Sequence, residues 1–222
     1  MKTNVMGTHV MLETAKHYWH YSGFDNKLFV HVSTDEVYGS LGVNDKQSTE
    51  DSLIKPNNPY AASKASSDLI VRSYVKTYGF PAIVTHCSNN YGTHQLPEKL
   101  IPRMIQNILK GKRLPIYGDG LNIRDWIPVE LHCSALMTIA ERGSVGEVYN
   151  IGADNELTNL DLIKTMLKIM GKPESLISFT EDRLGHDRRY SVDSTKLKKL
   201  GWEPEFDFIQ SLKETINWYK EK

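Results

Sequence analysis

The sequence predicts an α/β protein: a doubly wound parallel sheet followed by a smaller α/β lobe. Three observations predict it. The first half alternates helix-like and strand-like stretches, the pattern of parallel strands joined by crossover helices. The second half mixes short strands with amphipathic helices, as a small lobe packed on a sheet would. Between them, polar residues gather where the strand-like run Leu28–Val32 ends and where a helix opens at Pro59.

Each element has its own warrant. Val5, Thr8, Leu12, Ala15 and Trp19 form one stripe at alternating three and four spacing, so Thr3–His20 is expected to be a helix, with Thr3 as its N-cap. Leu28–Val32 is β-branched and aromatic, hence a buried strand. A polar loop, Gly39–Asn58, leads to a helix over Pro59–Tyr78 that Gly79 and Pro81 end. Ala82–Cys87 is a second strand, running into Ser88-Asn89-Asn90-Tyr91-Gly92. Beyond it come an amphipathic helix at Pro97–Lys110, a strand at Leu114–Tyr117, a tight turn at Gly118–Gly120, a helix at Glu130–Glu141 and a strand at Glu147–Ile151. Leu160–Met170 is a helix ended by Gly171, and a last helix puts Phe208, Leu212, Ile216 and Tyr219 on one face.

Composition narrows the function. With 27 basic and 27 acidic residues among 222, nothing implies a nucleic-acid partner. The two cysteines, Cys87 and Cys133, have no metal-ligand or disulfide spacing, which fits a reducing cytoplasm and no metal site. No signal-like or membrane-length apolar run occurs, so the expectation is an untargeted soluble protein with no membrane partner.

The chemistry concentrates in Phe29–Lys64. Thr34, Asp35 and Glu36 follow the strand, and Tyr60 and Lys64 stand four apart on one helix face. A phenol beside an ammonium favours phenolate, so this face opposite two carboxylates reads as a proton-transfer site.

Ser-Thr-Asp-Glu-Val-Tyr-Gly followed by Pro-Tyr-Ala-Ala-Ser-Lys resembles the extended short-chain dehydrogenases/reductases, and more narrowly the dTDP-glucose 4,6-dehydratases. Epimerases of that superfamily usually carry small or hydroxyl residues where Asp35-Glu36 stands. The likeness continues through SNNYG, PEKLIP, YGDGLNIRDW, YNIG and GHDRRY. It implies the C-terminal part of a doubly wound, NAD(P)-binding Rossmann-type domain over residues 1–92, and a sugar-nucleotide lobe over 93–222. It also implies NAD as cofactor, dTDP-glucose as the leading substrate, and a homodimer formed through the helices at Thr3–His20 and Pro59–Tyr78.

Roles follow by motif. Tyr60, its pKa lowered by Lys64, would take the C4 hydroxyl proton, Thr34 would hold the same oxygen, Asp35 would protonate the leaving C6 oxygen and Glu36 would remove the C5 proton. Asn89 would contact the sugar; Tyr60, Lys64 and Asn90 the cofactor. Lys99, Leu100, Pro115, Tyr117, Arg124, Asn159, Arg183 and His186 would bind the nucleotide and its phosphates. Arg124-Asp125 could instead be a structural ion pair, and Arg188-Arg189 reads as structural or solvated. Departures from the family pattern stand at His86, Thr93, Pro128, Leu131 and Leu184, none of them in the acid–base set.

No Gly-x-x-Gly-x-x-Gly or Gly-x-Gly-x-x-Gly pattern occurs, although pyrophosphate binding in such folds uses a glycine-rich turn at a helix N-terminus. The expectation is therefore a chain lacking its N-terminal glycine-rich part, with Leu28–Val32 left at an open edge and little turnover by these residues alone. A related epimerase or decarboxylase, and a non-catalytic sugar-nucleotide-binding remnant, stand as alternatives.

Overall fold

The computed structural model describes residues Met1–Lys222. A π-type turn (Lys2–Met6) runs into α1 (Gly7–His20), then β1 (Phe29–Thr34), a 3-10 turn (Asp35–Tyr38), α2 (Pro59–Tyr78), β2 (Ala82–Cys87) and β3 (Asn89–Tyr91). There follow α3 (Leu100–Leu109), β4 (Leu114–Tyr117), β5 (Ile123–Pro128), α4 (Val129–Arg142), β6 (Val148–Ile151), β7 (Glu156–Thr158) and α5 (Asn159–Ile169). The chain ends with β8 (Ile177–Thr180), β9 (Arg189–Tyr190), α6 (Thr195–Lys198) and α7 (Phe208–Lys220).

The sequence AIVTHC of β2 has no polar face, and it becomes the central strand of a parallel three-stranded sheet in the order β1-β2-β6. Ala82 and Val84 pack with Leu12, Val71, Tyr74 and Phe80 beneath α1 and α2. Ile83, pointing the other way, packs with Ala135 and Ile139 of α4 and with Tyr149 and Ile151 of β6. Helices thus cover both faces, as a doubly wound sheet requires. Burying each such aliphatic side chain contributes about 1.5–3 kcal/mol.

The third strand corrects the expected division at residue 92. β6 pairs with β2 from Val84↔Val148 to Cys87↔Ile151, so the chain returns to the first sheet after starting the second lobe. β1 pairs on one side only, leaving an edge as expected.

Two local expectations also change. The N-terminal helix is not capped by Thr3: the helical turn begins at Lys2 without a side-chain cap, and Asn4 Nδ2 donates to Ser63 Oγ at 2.8 Å. That tertiary tie to α2 carries the helix past its local cap. Residues 123–128, which received no element from the sequence, form the strand β5. Its Arg124 and Asp125 are buried because partners exist for them: the backbone N–H groups of Ala153 and Asn155 donate to Asp125 at 2.8 Å each, and Arg124 donates to the Asp187 carbonyl at 2.9 Å.

α2 matches its sequence signals. Asn58 caps it by accepting from the Ala61 N–H at 2.8 Å, Pro59 takes the first turn, and Gly79 ends it at φ 62°. The second lobe packs α3, α5 and α7 around Tyr91, Leu114, Ile116 and Trp126. It sits beside the sheet's C-terminal end, where β1 and β2 finish. No helix is long and apolar enough to cross a membrane.

Candidate active site

β1 extends two residues beyond the expected Val32 and ends at Thr34. Thr34 Oγ1 accepts from the Glu36 N–H at 3.4 Å, and this cap opens the 3-10 turn. The turn sends neighbouring carboxylates in different directions. Asp35 goes inward, only 4% exposed; Glu36 lines a cavity. Asp35 Oδ1 accepts from Thr34 Oγ1 at 3.3 Å, while Oδ2 is buried with no partner. Burial, then the charges of Glu36 and Asp125, push the Asp35 carboxyl up to about 8. It therefore carries its proton at neutral pH, as a general acid must. Glu36 Oε2 accepts from Asn58 Nδ2 at 3.2 Å and lies 3.3 Å from the Tyr190 hydroxyl.

The helix side of the site follows the periodicity of α2. Tyr60 is half-exposed and lines the same cavity. Lys64, one turn on, donates from Nζ to the Val32 carbonyl at 2.7 Å. The expectation that Lys64 lowers the Tyr60 pKa is not met: burial first, then the charges of Glu36, Cys87 and Asp35, push the phenol up to about 12. The sequence places the ammonium one turn away but cannot show that the ammonium is bonded to the strand. Asp68, the next residue on this face, receives Ser33 Oγ at 2.9 Å and lies 3.2 Å from both His31 Nε2 and His86 Nε2. Burial raises its carboxyl, but the hydrogen bonds from His31, His86 and Ser33 outweigh that and hold it low. His86 continues to the Tyr38 hydroxyl at 2.7 Å, which donates to Asn150 Oδ1 at 2.8 Å. This buried chain fixes α2 against the strand end, with Tyr60 on the same cavity as Glu36, whereas Thr34, Asp35 and Lys64 do not line it.

Two adjoining cavities receive most of the remaining expected residues. One, of about 380 Å³, is lined by Glu36, Tyr60, Asn89, Arg124, Arg183 and His186 together with Asn58, Asp187 and Tyr190. A second, of about 220 Å³, shares Asn89, Arg124, Arg183 and His186 and adds Leu100, Pro115, Tyr117, Trp126 and Asn159. Lys99 lines neither; it is exposed at the N-terminus of α3, where Glu98 and Arg103 line the second cavity instead. Arg124 forms no ion pair with Asp125 but lies 4.2 Å over the Tyr190 ring. Arg188 pairs with Asp119 at 2.9 Å and Arg189 with Glu156 at 2.6 Å, both structural as expected. Arg183 Cζ sits 5.0 Å over the Tyr117 ring, and its guanidinium has no hydrogen bond or ion pair within the chain. His186 Nδ1 lies 2.6 Å from Asp182 Oδ1, while its Nε2 is buried without a partner at the junction of the cavities. Burial lowers His186, only partly offset by Asp182.

Sequence reasoning missed Asn58, Asp187 and Tyr190. Asn58 carries a signal, as the residue before a helix-opening proline; Asp187 and Tyr190 reach Glu36 only through the fold. Asn90, expected at the cofactor, donates to the Ser88 carbonyl at 3.1 Å and meets His132 Nδ1 at 2.8 Å, so both ends of its amide are engaged. Tyr60, with no internal partner for its hydroxyl, and Lys64, with donors to spare, fit the reactive end of a dinucleotide. No glycine-rich turn is present to fit its pyrophosphate. No group of three or more His, Cys, Asp or Glu is placed to hold a metal ion.

Residues 1–215 match the family model described as GDP-mannose 4,6 dehydratase. A dTDP-glucose 4,6-dehydratase of Neisseria meningitidis is 48% identical, over 99% of this chain and 66% of its own length. The crystal structure of a Bacillus anthracis dTDP-glucose 4,6-dehydratase in complex with NAD superposes with a TM-score of 0.92 at 50% identity, covering 99% of this chain and 68% of that one. DesIV of Streptomyces venezuelae, a dTDP-glucose 4,6-dehydratase with NAD and TYD bound, gives 0.94 at 44% identity, covering 100% and 66%. The chain thus spans about two thirds of the length of the relatives it matches.

Proposed function

The chain belongs to the dTDP-glucose 4,6-dehydratase family, and on that premise we propose that it dehydrates a nucleoside-diphosphate hexose, dTDP-glucose foremost, to the 4-keto-6-deoxy sugar. The observation that carries the reading is the divergence of two adjacent carboxylates. Asp35 is buried, lacks a partner on one oxygen and keeps its proton, while Glu36 faces the cavity. Eliminating water across C5 and C6 needs one acid and one base side by side, and an epimerase needs neither.

The C5 proton of a hexose becomes removable once C4 is a ketone. Tyr60 takes the C4 hydroxyl proton while Thr34 holds that oxygen. Glu36 takes the proton from C5, and Asp35 gives its own to the departing C6 oxygen, which leaves as water. When bound, NAD would supply the hydride acceptor for C4, the same hydride for return to C6 and, oxidised, a positive charge of the kind Tyr60 lacks here. Glu36 gives a proton back to C5 as C6 is reduced, which completes the 4-keto-6-deoxy sugar. Tyr60 and Lys64 are the side chains suited to its reactive end, with Asn90 behind them. Arg124, Arg183 and His186, shared by both cavities, suit a diphosphate, for which the guanidinium fork gives paired charge-assisted bonds. Asn89 then faces the sugar, and Leu100, Pro115, Tyr117 and Asn159 the nucleoside.

Two chains would pair through α1 and α2, which expose Val10, Leu69 and Tyr78, with Met6 exposed in the turn before α1. A cytosolic setting is consistent with Cys87 and Cys133 both being free. A second reading, binding of sugar nucleotide without turnover, is favoured for a polypeptide of these residues alone by the missing glycine-rich turn.

The test is Glu36→Gln in a form of the protein able to hold NAD. C4 oxidation should persist, read as NADH, while 4-keto-6-deoxy product falls by about a hundredfold or more. Equal loss of both steps, or a 4-epimer as the wild-type product, would sink the assignment.

A further inference from the structure

Glu36 does not stand alone behind the cavity. Two groups lie within hydrogen-bond distance of its Oε2; the Asn58 amide nitrogen can only donate, and the single Tyr190 proton goes to the shorter contact with Asp187. The Tyr190 oxygen, at 3.3 Å, can accept. Once protonated, Glu36 therefore has one internal acceptor among these partners. Tyr190 in turn donates to Asp187 Oδ2 at 2.6 Å, and Asp187 Oδ1 accepts from Asn57 Nδ2 at 2.7 Å. Tyr190 is 5% exposed and Asp187 7%, whereas Asn57 lies at the surface. A hexose filling the 380 Å³ cavity would cover Glu36, and Tyr190 and Asp187 border the same cavity. Asn57, beyond Asp187, does not line it and is exposed, so the line Glu36–Tyr190–Asp187–Asn57 ends at solvent outside the cavity.

We infer that Tyr190 and Asp187 form a proton relay behind Glu36, which carries the substrate's C5 proton to solvent and returns one by the same route. The inference rests on Glu36 being the C5 base. Glu36 carboxylate takes the proton from C5 and becomes a carboxylic acid. Its O–H proton passes to the Tyr190 oxygen as the Tyr190 proton passes to Asp187 Oδ2. Glu36 is again a carboxylate, Tyr190 remains a phenol, Asp187 is neutral, and the total charge is unchanged. Asp187 then releases the proton to water. Reversing the sequence delivers a proton to C5. Burial and the neighbouring carboxylates hold Tyr190 far above the usual phenol range, so it passes protons without ionising. Arg124, over the Tyr190 ring and bonded to the Asp187 carbonyl, fixes both residues in place. Tyr190 and Asp187 act through Glu36, as positioning residues.

A 4-keto-6-deoxy sugar nucleotide already has an acidified C5 proton, so its exchange with D2O needs no hydride transfer and no NAD. Proton NMR of that compound with the chain follows the exchange, and calorimetry follows its binding. Wild type should exchange and Glu36→Gln should not. Tyr190→Phe and Asp187→Asn should still bind the compound saturably, with calorimetry giving the affinity each retains, yet at saturation exchange roughly tenfold more slowly or worse than wild type. Formate should restore exchange to an Asp187→Gly variant that still binds the compound, by supplying a carboxylate in the space the truncation opens, which a purely structural defect would not permit. If Glu36→Gln fails but both relay variants exchange at the wild-type rate, or if formate leaves Asp187→Gly unchanged, the relay is overturned and Glu36 keeps its role. If Glu36→Gln exchanges like wild type, or a wild-type chain that binds the compound never exchanges it, the assignment of Glu36 falls and the relay with it.

Discussion

At the scale of the residue, Asp35 shows how an environment gives a side chain its role. Its neighbour Glu36 has the same functional group, one methylene longer, and differs chiefly in which way the 3-10 turn sends it. The pair's position after a strand was legible in the sequence, and so were Tyr60 and Lys64 by their spacing. Which carboxylate is held neutral was not, because that depends on Asp125 and on burial that only the fold creates. Tyr60 misled for the same reason: its carboxylate neighbours are contacts across elements. The Asp35 pKa has a consequence for stability. Folded near 8 and unfolded near the ordinary carboxylate value, this group favours the native state fully below the unfolded value and loses that contribution as pH rises towards 8. Asp35→Asn removes the titration. Urea unfolding at pH 5 and pH 8 should show wild type losing more stability over the interval than the variant. At pH 8 the variant should be the more stable by roughly 2 kcal/mol. Parallel losses in both proteins would mean that Asp35 is not held protonated.

Elements were legible where their ends carry local chemistry. α2 begins and stops where Asn58-Pro59 and Gly79 say it should, and β2 matches its apolar run. β5 was hidden because its buried polar residues find partners in segments remote in sequence, and Tyr190 meets Glu36 from 154 residues away. α1 presents the remaining question at this scale. Leu12 and Trp19 face the core, yet Val10 is 55% exposed, with Leu69 of α2 60% exposed. Two amphipathic helices with apolar residues on the outer side are expected to meet a second copy about a two-fold axis. Sedimentation should show a dimer at micromolar concentration. Val10→Glu with Leu69→Glu should give a folded monomer, since burying each unpaired carboxylate costs about 2 kcal/mol or more. A wild-type monomer at every concentration would refute the pairing.

At the scale of the whole molecule, the two proposed ligand-binding tasks are unequally provided for. The side proposed for the sugar nucleotide has two cavities, shared cationic groups and a packed lobe behind them. On the dinucleotide side, β1 is an edge strand with Val32 40% exposed, and these 222 residues contain no glycine-rich turn. Tyr60, Lys64 and Asn90 could offer NAD a few hydrogen bonds, each worth about 0.5–1.5 kcal/mol net. One bond from each sums to about 1.5–4.5 kcal/mol, short of the ~8 kcal/mol that a micromolar dissociation constant requires. Part of that sum is already committed, because the Asn90 amide is engaged at both ends. A polypeptide of these residues should therefore bind dTDP or a dTDP-sugar saturably while showing no saturable NAD binding below the millimolar range. Calorimetry with both ligands on one preparation makes the nucleotide the control for folding. Micromolar NAD binding would show that this sheet edge holds the dinucleotide by contacts other than a glycine-rich turn. Loss of both ligands would instead place the fault in the second lobe, whose core of fourteen buried residues is what shapes the sugar-nucleotide cavities.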